Sequence, residues 1–546
     1  VKLSIQSFGG IAPRIRPRYL KETQAQTAEN CTVDGQSLRP LDGFGSTLLT
    51  LPKSGTIKSL YRFGQSVSAA SRPTQYWFHW AEDVDVCRGQ IAGDPAEWTF
   101  YTGETFSPKA TYNNIALTGG TTQYPLVSRD LGLPAPTGNC SATADAAALP
   151  EGETLSTAVY VYTWVATEAG LTMESPPSPP SASVDFHSAS TITVDSFDSV
   201  PTGNYNITHK RIYRSVDGTY LYVGEITAAA ASFSDTNEPD YLGEELPTLT
   251  WSNPPSNLRG LTNLPNGVMA GFVTRDVYFS DPYHPYAWPT GYMQSLDYPV
   301  VGLGTIDTTV VALTTGVPYL IQGSHPDSMV VVESDIRQAC LSKRSIVSMA
   351  GSVFYASPDG LVRISAGGSQ VVTDEIMTRE QWQSLNPASI HAYGHDNKYI
   401  GFYDTGATEG SFILDLSRNT FSMSDLHAVA GYVDLQDDNL YLVKADKTLV
   451  KWGAGAAGSY VWRSKKFTMP HVVSFAAAEV DAEAYPVTAK FYIDSSATPF
   501  HTQTVTSRAP FRLPVAPGLE WEVQLEGSVE VFAVNLGSSM SELASV

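Results

Sequence analysis

Five segments of this chain share one layout: an apolar strand, a short polar turn, then a second strand built around an aromatic. They read VMAGFVTRDVYFSD from Val268, VVALTTGVPYLIQG from Val310, IVSMAGSVFYAS from Ile346, IHAYGHDNKYIGFYD from Ile390 and VAGYVDLQDDNLYLV from Val429. The anchoring aromatics are Tyr278, Tyr319, Phe354, Tyr399 and Tyr441, which stand 41, 35, 45 and 42 residues apart. A recurrence of roughly 40–45 residues with a few strands per unit is the spacing of β-propeller blades. A small antiparallel sheet cannot bury both faces by itself. Radial stacking buries both, and a closed ring protects the strand edges. Two earlier stretches, IKSLYRF with QYWFHW (57–80) and PKATYNNIALTGG (108–120), look like further units and suggest six or seven blades. Evenly spaced hairpins of a β-sandwich produce similar patterning. The period favours the propeller.

The recurrence is interrupted. AVYVYTWVAT (158–167), the Pro-rich SPPSPP (175–180) and HKRIYRSVDGTYLYVGEI (209–226) have the cadence of a small fibronectin-type or immunoglobulin-like sandwich. Asp217-Gly218 between two strand runs is a hairpin signal. After Trp462 the blade cadence stops, and the alternation in EWEVQLEGSVEVFAV indicates paired strands. The expected fold is therefore all-β: a β-propeller interrupted by a fibronectin/Ig-like sandwich, with a small C-terminal β domain. The division reads 1–50 as an N-terminal arm with a short helix and docking strands, and 51–150 as the first blades. Next come 151–250 as the inserted sandwich, 251–461 as the remaining blades, and 462–546 as a C-terminal β domain packed with the N-terminal segment. Helices are few. One is expected from Thr378, where TREQ has capping-box form and Trp382 and Leu385 share a face. A second is expected over Tyr19–Asn30, with Leu20, Thr27 and Ala28 on one side.

With 546 residues there is ample chain for several cores, so neither disulfides nor metals are required for stability. The formal net charge is −21 with only 16% charged residues. That balance argues against sequence-specific DNA binding, which needs a basic footprint. Cys31, Cys87, Cys140 and Cys340 are widely spaced without a CxxC, so buried free thiols are expected. The start, VKLSIQSFGG, has no apolar h-region, and no run approaches a membrane-spanning length.

No HExxH, Walker A, GxSxG or CxxC motif occurs. His391 and His395 form the one close histidine pair, on a segment that reads as strand and turn. The neighbouring carboxylates Glu333 with Asp335 and Asp374 with Glu375 invite comparison with glycosidase pairs, but sequence proximity says nothing about a cleft. In SVFYASPDGLVRIS (352–365), Ser357-Pro358-Asp359-Gly360 departs from a sialidase-type Asp box: its Gly comes one place early and its Trp is absent. Together with Asp34-Gly35 and Asp217-Gly218 it reads as a hairpin turn. No catalytic, metal-binding or cofactor-binding residue is assigned. Two basic patches stand against the acidic whole. Arg14, Arg16 and Arg18 alternate with Pro and Ile ahead of Lys21, which gives an extended arm. Arg463, Lys465 and Lys466 lie between Trp462 and Phe467. Both are candidate subunit or adaptor contacts; a solvated arm and an aggregation-blocking edge strand are the alternatives.

The head (SFGGIAPR, AENCTVDGQSLRPLDGF), the middle (PNGVMAGF, DVYFSDPYHPYAWP, CLSKRSIV, YASPDGLVRIS), and WRSKKF with GSSMSEL resemble the tail nozzle or tail-hub (tail tubular protein B-like) proteins of short-tailed bacteriophages. The resemblance covers nearly the whole chain. It implies a homohexamer at the distal end of the portal–adaptor axis, touching a head-to-tail adaptor protein and tail fibres or spikes. Double-stranded DNA would pass through its lumen. It implies a place in the virion tail, assembly in the bacterial host cytoplasm, no stable membrane insertion, no cofactor and no enzymatic activity. The competing expectation is a carbohydrate-binding or depolymerising propeller protein of the phage tail.

Overall fold

The computed structural model describes residues 2–33, 36–64, 76–91, 93–119, 123–238 and 241–543. The Asp34-Gly35 turn lies outside them. Strands dominate, and the α-helices among the described residues are three short ones, Asn113–Leu117, Arg379–Gln383 and Met540–Leu543. The fold is all-β: a β-propeller interrupted by a fibronectin/Ig-like sandwich, with a small C-terminal β domain. No described helix is long and apolar enough to cross a membrane. The chain divides into two compact units. One holds Val1–Arg62, Leu313–Pro318 and Glu333–Val546, the other Phe63–Ala312 and Tyr319–Val332.

The recurrence materialises as four-stranded antiparallel meanders. They span 85–130, 259–295, 300–333, 347–371 and 391–424, and a further sheet covers 430–451. That last sheet has three strands of its own and takes its fourth, Leu49–Thr50, from near the N-terminus. The second strands begin at Met269, Thr309, Ser352, Lys398 and Asn439, or 40, 43, 46 and 41 residues apart. The aromatic anchors follow these strands only in part. Phe354, Tyr399 and Tyr441 sit on second strands, whereas Tyr278 and Tyr319 sit on third strands. In the two earlier sheets the second strands carry mainly aliphatic residues, MAGFV and TVVALT, and the tyrosine falls one strand later. Any buried strand accommodates an aromatic, so the aromatic marks the unit without marking its strand.

The inserted sandwich begins at Ser141. One sheet joins Ser141–Ala144, Ile192–Asp195 and Ser232–Asp235; the other joins Leu171–Glu174, Tyr160–Glu168, His209–Val216 and Thr219–Thr227. Asp217 and Gly218 form the two-residue hairpin turn with φ of 49° and 88°, the geometry that an Asp-Gly pair favours. The Pro-rich segment has a structural use. Ser175, Ser178 and Ser181 donate their N–H groups to the carbonyls of Trp164, Tyr162 and Tyr160. Their hydroxyls accept the N–H groups of the same three residues, at 2.9, 3.1 and 2.9 Å. Proline has no N–H to offer a strand. A serine at every third position therefore serves both backbone polar groups of Tyr160, Tyr162 and Trp164, so the intervening prolines need donate nothing.

The C-terminal domain is built from both chain ends. Lys2–Ile5 pairs with Val531–Gly537, and Ala25–Glu29 pairs antiparallel with Tyr460–Ser464. The helix expected over Tyr19–Asn30 is thus a turn followed by a strand. Ala25 and Ala28 are buried in one core with Trp462, and this pairing outweighs local helix propensity. The helix at Thr378 forms with its capping box to Gln381, and Trp382 is fully buried. All four cysteines are free and buried, and burial pushes the Cys31 and Cys340 thiols up to about 12.

Replacing Ser178 by Ala leaves the buried Tyr162 N–H without its acceptor. The expected cost is about 1–3 kcal/mol in urea unfolding. An unchanged midpoint would show that water takes over the bond.

Candidate functional site

His391 and His395 lie on one strand, His391–His395. Four residues of strand separate their Cα atoms by about 13 Å, too far for one metal ion. His391 is buried and stacks on Phe402 at 5.3 Å, with the His427 ring 6.1 Å away. Burial first, then Arg344 and His427, hold its pKa well below the ordinary value. No cluster of three or more metal-ligating side chains occurs among the described residues.

Glu333 and Asp335 are exposed at the end of an edge strand. Asp374 and Glu375 line two adjoining polar clefts of about 650 and 560 Å³. Asp374 is engaged by Arg14 at 2.5 Å. In the Ser357–Gly360 turn, the Ser357 hydroxyl donates to the Gly360 carbonyl at 2.8 Å. Gly360 does not have positive φ. It is needed because a Cβ there would lie 2.3 Å from the Thr373 hydroxyl. The turn is structural.

The two basic patches meet. Along the arm, the Arg14 N–H donates to the Ile376 carbonyl, and its guanidinium also reaches the Asp374 carbonyl. Gln381 donates to the Pro13 carbonyl at 3.0 Å. Further on, the Pro17 carbonyl accepts the Lys466 N–H at 3.0 Å, and Arg18 pairs with Glu520. From the second patch, Arg463 pairs with Glu522 at 2.8 Å and lies over the Tyr492 ring at 4.0 Å. Lys466 donates to Ser495 at 2.7 Å and stands 3.5 Å from Glu522. Lys465 sits over the Phe467 ring at 5.8 Å. Gln26 adds a bond to Glu522 at 2.6 Å.

Segments more than 430 residues apart in sequence therefore converge on Glu520 and Glu522, both buried. Alternation along Gly518–Gly527 explains the arrangement. Trp521, Val523 and Leu525 enter the core, and Glu520, Glu522 and Gln524 take the other face. Burial raises the Glu520 pKa, but the Ser495 hydroxyl and Arg18 more than offset it and hold the carboxyl below its usual range. These two carboxylates were not singled out from sequence. The available signal was the alternation of EWEVQLE, with Glu520, Glu522 and Glu526 at three of its four alternate positions, which, if buried, call for cations.

Three arm side chains remain outside this network. Arg16 and Lys21 are exposed, with no side-chain partner among the described residues, and Tyr19 is 71% exposed. The backbone beneath them is held. Besides Pro13 and Pro17, Leu20 is buried, Tyr19 N–H donates to the Arg16 carbonyl, and Lys21 N–H donates to Gln24. This arrangement presents two cations and an aromatic ring on a fixed turn.

No family model and no curated protein sequence matches the chain. Among solved structures it is similar to an extracellular domain of a one-component system, BT4673, from B. thetaiotaomicron (8% identity, TM-score 0.27), covering 81% of this chain but only 43% of that one. It is also similar to an extracellular domain of a hybrid two-component system, BT3049, from the same organism (10% identity, TM-score 0.27, 95% and 80% covered). A third is an exo-β-1,3-galactanase from Phanerochaete chrysosporium (9% identity, TM-score 0.22, 63% and 93% covered). Likeness at this level carries no functional argument.

Arg463→Ala leaves Glu522 buried with weaker compensation. The expected loss is about 2–3 kcal/mol in urea unfolding, below the cost of breaking a fully buried pair because Arg463 is partly exposed. An unchanged midpoint would remove the pair from the structural account. His391 gives a pH dependence. Its folded pKa is depressed, so the unfolded chain binds more protons below about pH 6.5. Its contribution is present above that pH and is lost as pH falls, with a slope of up to about 1.4 kcal/mol per pH unit. His391→Gln is expected to flatten stability measured between about pH 7 and 5. An unaltered slope would assign the acid sensitivity elsewhere.

Proposed function

We propose that the chain is a structural subunit of a short-tailed phage virion. In this reading it forms a hexameric tail nozzle that extends the portal–adaptor channel and conducts DNA during ejection. The observation that carries the reading is where the resembling segments fall. SFGGIAPR, WRSKKF and GSSMSEL, from opposite ends of the chain, build one domain. Trp462 donates to the Gly9 carbonyl at 3.1 Å, and Lys2 pairs with Gly537. Motif residues that hold a framework together are what a structural subunit needs.

The charge supports the same reading. Six copies would each bring a net charge of −21. A conduit that repels its polyanionic cargo avoids retained phosphate contacts, which slow transit. Transport through a tube requires no catalysis, so no reaction is assigned. Contacts with an adaptor protein and with fibres or spikes belong to this reading, as does a place in the virion tail.

The test is assembly. Negative-stain images of the purified chain, alone or with the adaptor subunit from the same particle, are expected to show six-fold rings. Incubation with host surface polysaccharide is expected to leave its chain length unchanged. Monomers under every condition would overturn the nozzle. Shortened polysaccharide would favour the depolymerase, with the clefts around Asp374 and Glu375 as the first place to mutate.

A further inference from the structure

We propose that the turn carrying Arg16, Tyr19 and Lys21 docks onto an acidic surface of a second copy of this chain, making the contact between copies head-to-tail. This rests on the tail-subunit reading and specifies how the copies meet. Three observations lead to it.

The first is charge. At −21 per chain, two copies repel one another wherever average surfaces meet. A local reversal of sign favours association, and Arg16 and Lys21 supply two exposed cations with no side-chain partner among the described residues. Arg14 and Arg18 in the same arm are already engaged by Asp374 and Glu520.

The second is preorganisation. The turn is tied through Pro13, Pro17 and Leu20, so the three projecting side chains do not have to order their backbone on binding. Tyr and Arg on a rigid support are the residue types that concentrate binding energy at interfaces. Tyr19, at 71% exposed, contributes little to the core.

The third is symmetry. A two-fold contact centred on this turn would set cations against cations. A basic turn on an acidic chain is satisfied by a different surface of its neighbour, which is a heterologous contact, and such contacts close into rings when the rotation permits. A short basic turn also suits an acidic protein surface better than duplex DNA, whose binding calls for an extended basic footprint.

The experiment uses the full chain as wild type, as the double variant R16E/K21E, and as Tyr19→Ala. Assembly is followed by mass photometry over a concentration series at about 0.05 to 1 M salt. Near-UV circular dichroism and melting verify that each variant is folded, and Arg16→Lys serves as the conservative control. Wild-type assembly is expected to weaken with salt. Each disruptive variant should raise the apparent dissociation constant about tenfold or more, and Arg16→Lys should stay close to wild type. In a mixture of isotopically light and heavy copies, zero-length carbodiimide cross-links from Lys21 should reach Asp or Glu of the other isotope.

If wild type forms rings and the folded variants do so equally well, the docking turn is wrong and the nozzle reading stands. Cross-links confined to one copy would have the same meaning. Variants that assemble normally but lose affinity for double-stranded DNA would also overturn the proposal, making the turn a phosphate contact. A wild type that never self-associates would overturn the nozzle reading and the docking turn together.

Discussion

The passage of Phe8-Gly9-Gly10 through the first compact unit is the constraint on which the N- and C-terminal parts of the fold depend. Phe8 meets Trp462 edge-on at 4.9 Å, and the Gly9 carbonyl accepts the indole N–H. A Cβ on Gly9 would come within 2.3 Å of the Thr23 carbonyl oxygen, and one on Gly10 within 2.4 Å of the Phe421 carbonyl oxygen. Ile11 then donates to Phe421, and Ala25 donates to Gly10. Backbone lies against backbone on both sides, so only glycine fits. This passage ties the 391–424 blade to the C-terminal domain through the bonds of Gly9, Gly10 and Ile11.

The charged groups obey a related economy. Glu520 and Glu522 are buried on an otherwise well-patterned strand, which is costly unless each lone pair finds a partner. The arm and the WRSKKF segment supply most of those partners. Gln26 and Arg463 meet Glu522 Oε2 and Arg18 meets Glu520, while Ser495 adds a bond to Glu520 and, among the described residues, Glu522 Oε1 has only the Lys466 ammonium at 3.5 Å. Arg62 plays a similar part elsewhere in the unit, reaching Asp434, Asp437 and Tyr441 between 2.8 and 3.0 Å. In each case residues distant in sequence are held together by a charge that neither segment tolerates alone. Such pairs contribute modest net stability but specify which segments meet.

Much of the architecture was legible because it rests on local periodicity. Alternating strands, Asp217-Gly218 and the Thr378 capping box declare themselves within a few residues. The helix expected over Tyr19–Asn30 failed for the opposite reason. Its side chains permit a helix, but the strand partner that wins, Tyr460–Ser464, lies more than 430 residues away. The aromatic anchors failed in register alone, since their recurrence reports a unit length and not a strand number. At the candidate site, the cations were visible because positive residues stand out in an acidic chain. Glu520 and Glu522 were not, because one acid among 55 acquires meaning only when it is buried.

By itself the sequence determined an all-β chain, the length of its repeating unit, the position of its interruption and the sign of its charge. Each of these is a property of neighbouring residues or of their sum. Tertiary structure alone decided which basic residues are spent inside the fold and which are left free. Arg14, Arg18, Arg463 and Lys466 face anions brought from elsewhere in the chain, whereas Arg16, Tyr19 and Lys21 stay exposed on a turn held by backbone bonds. A charge is neutralised by what lies within a few ångströms of it, and no local pattern states what that will be.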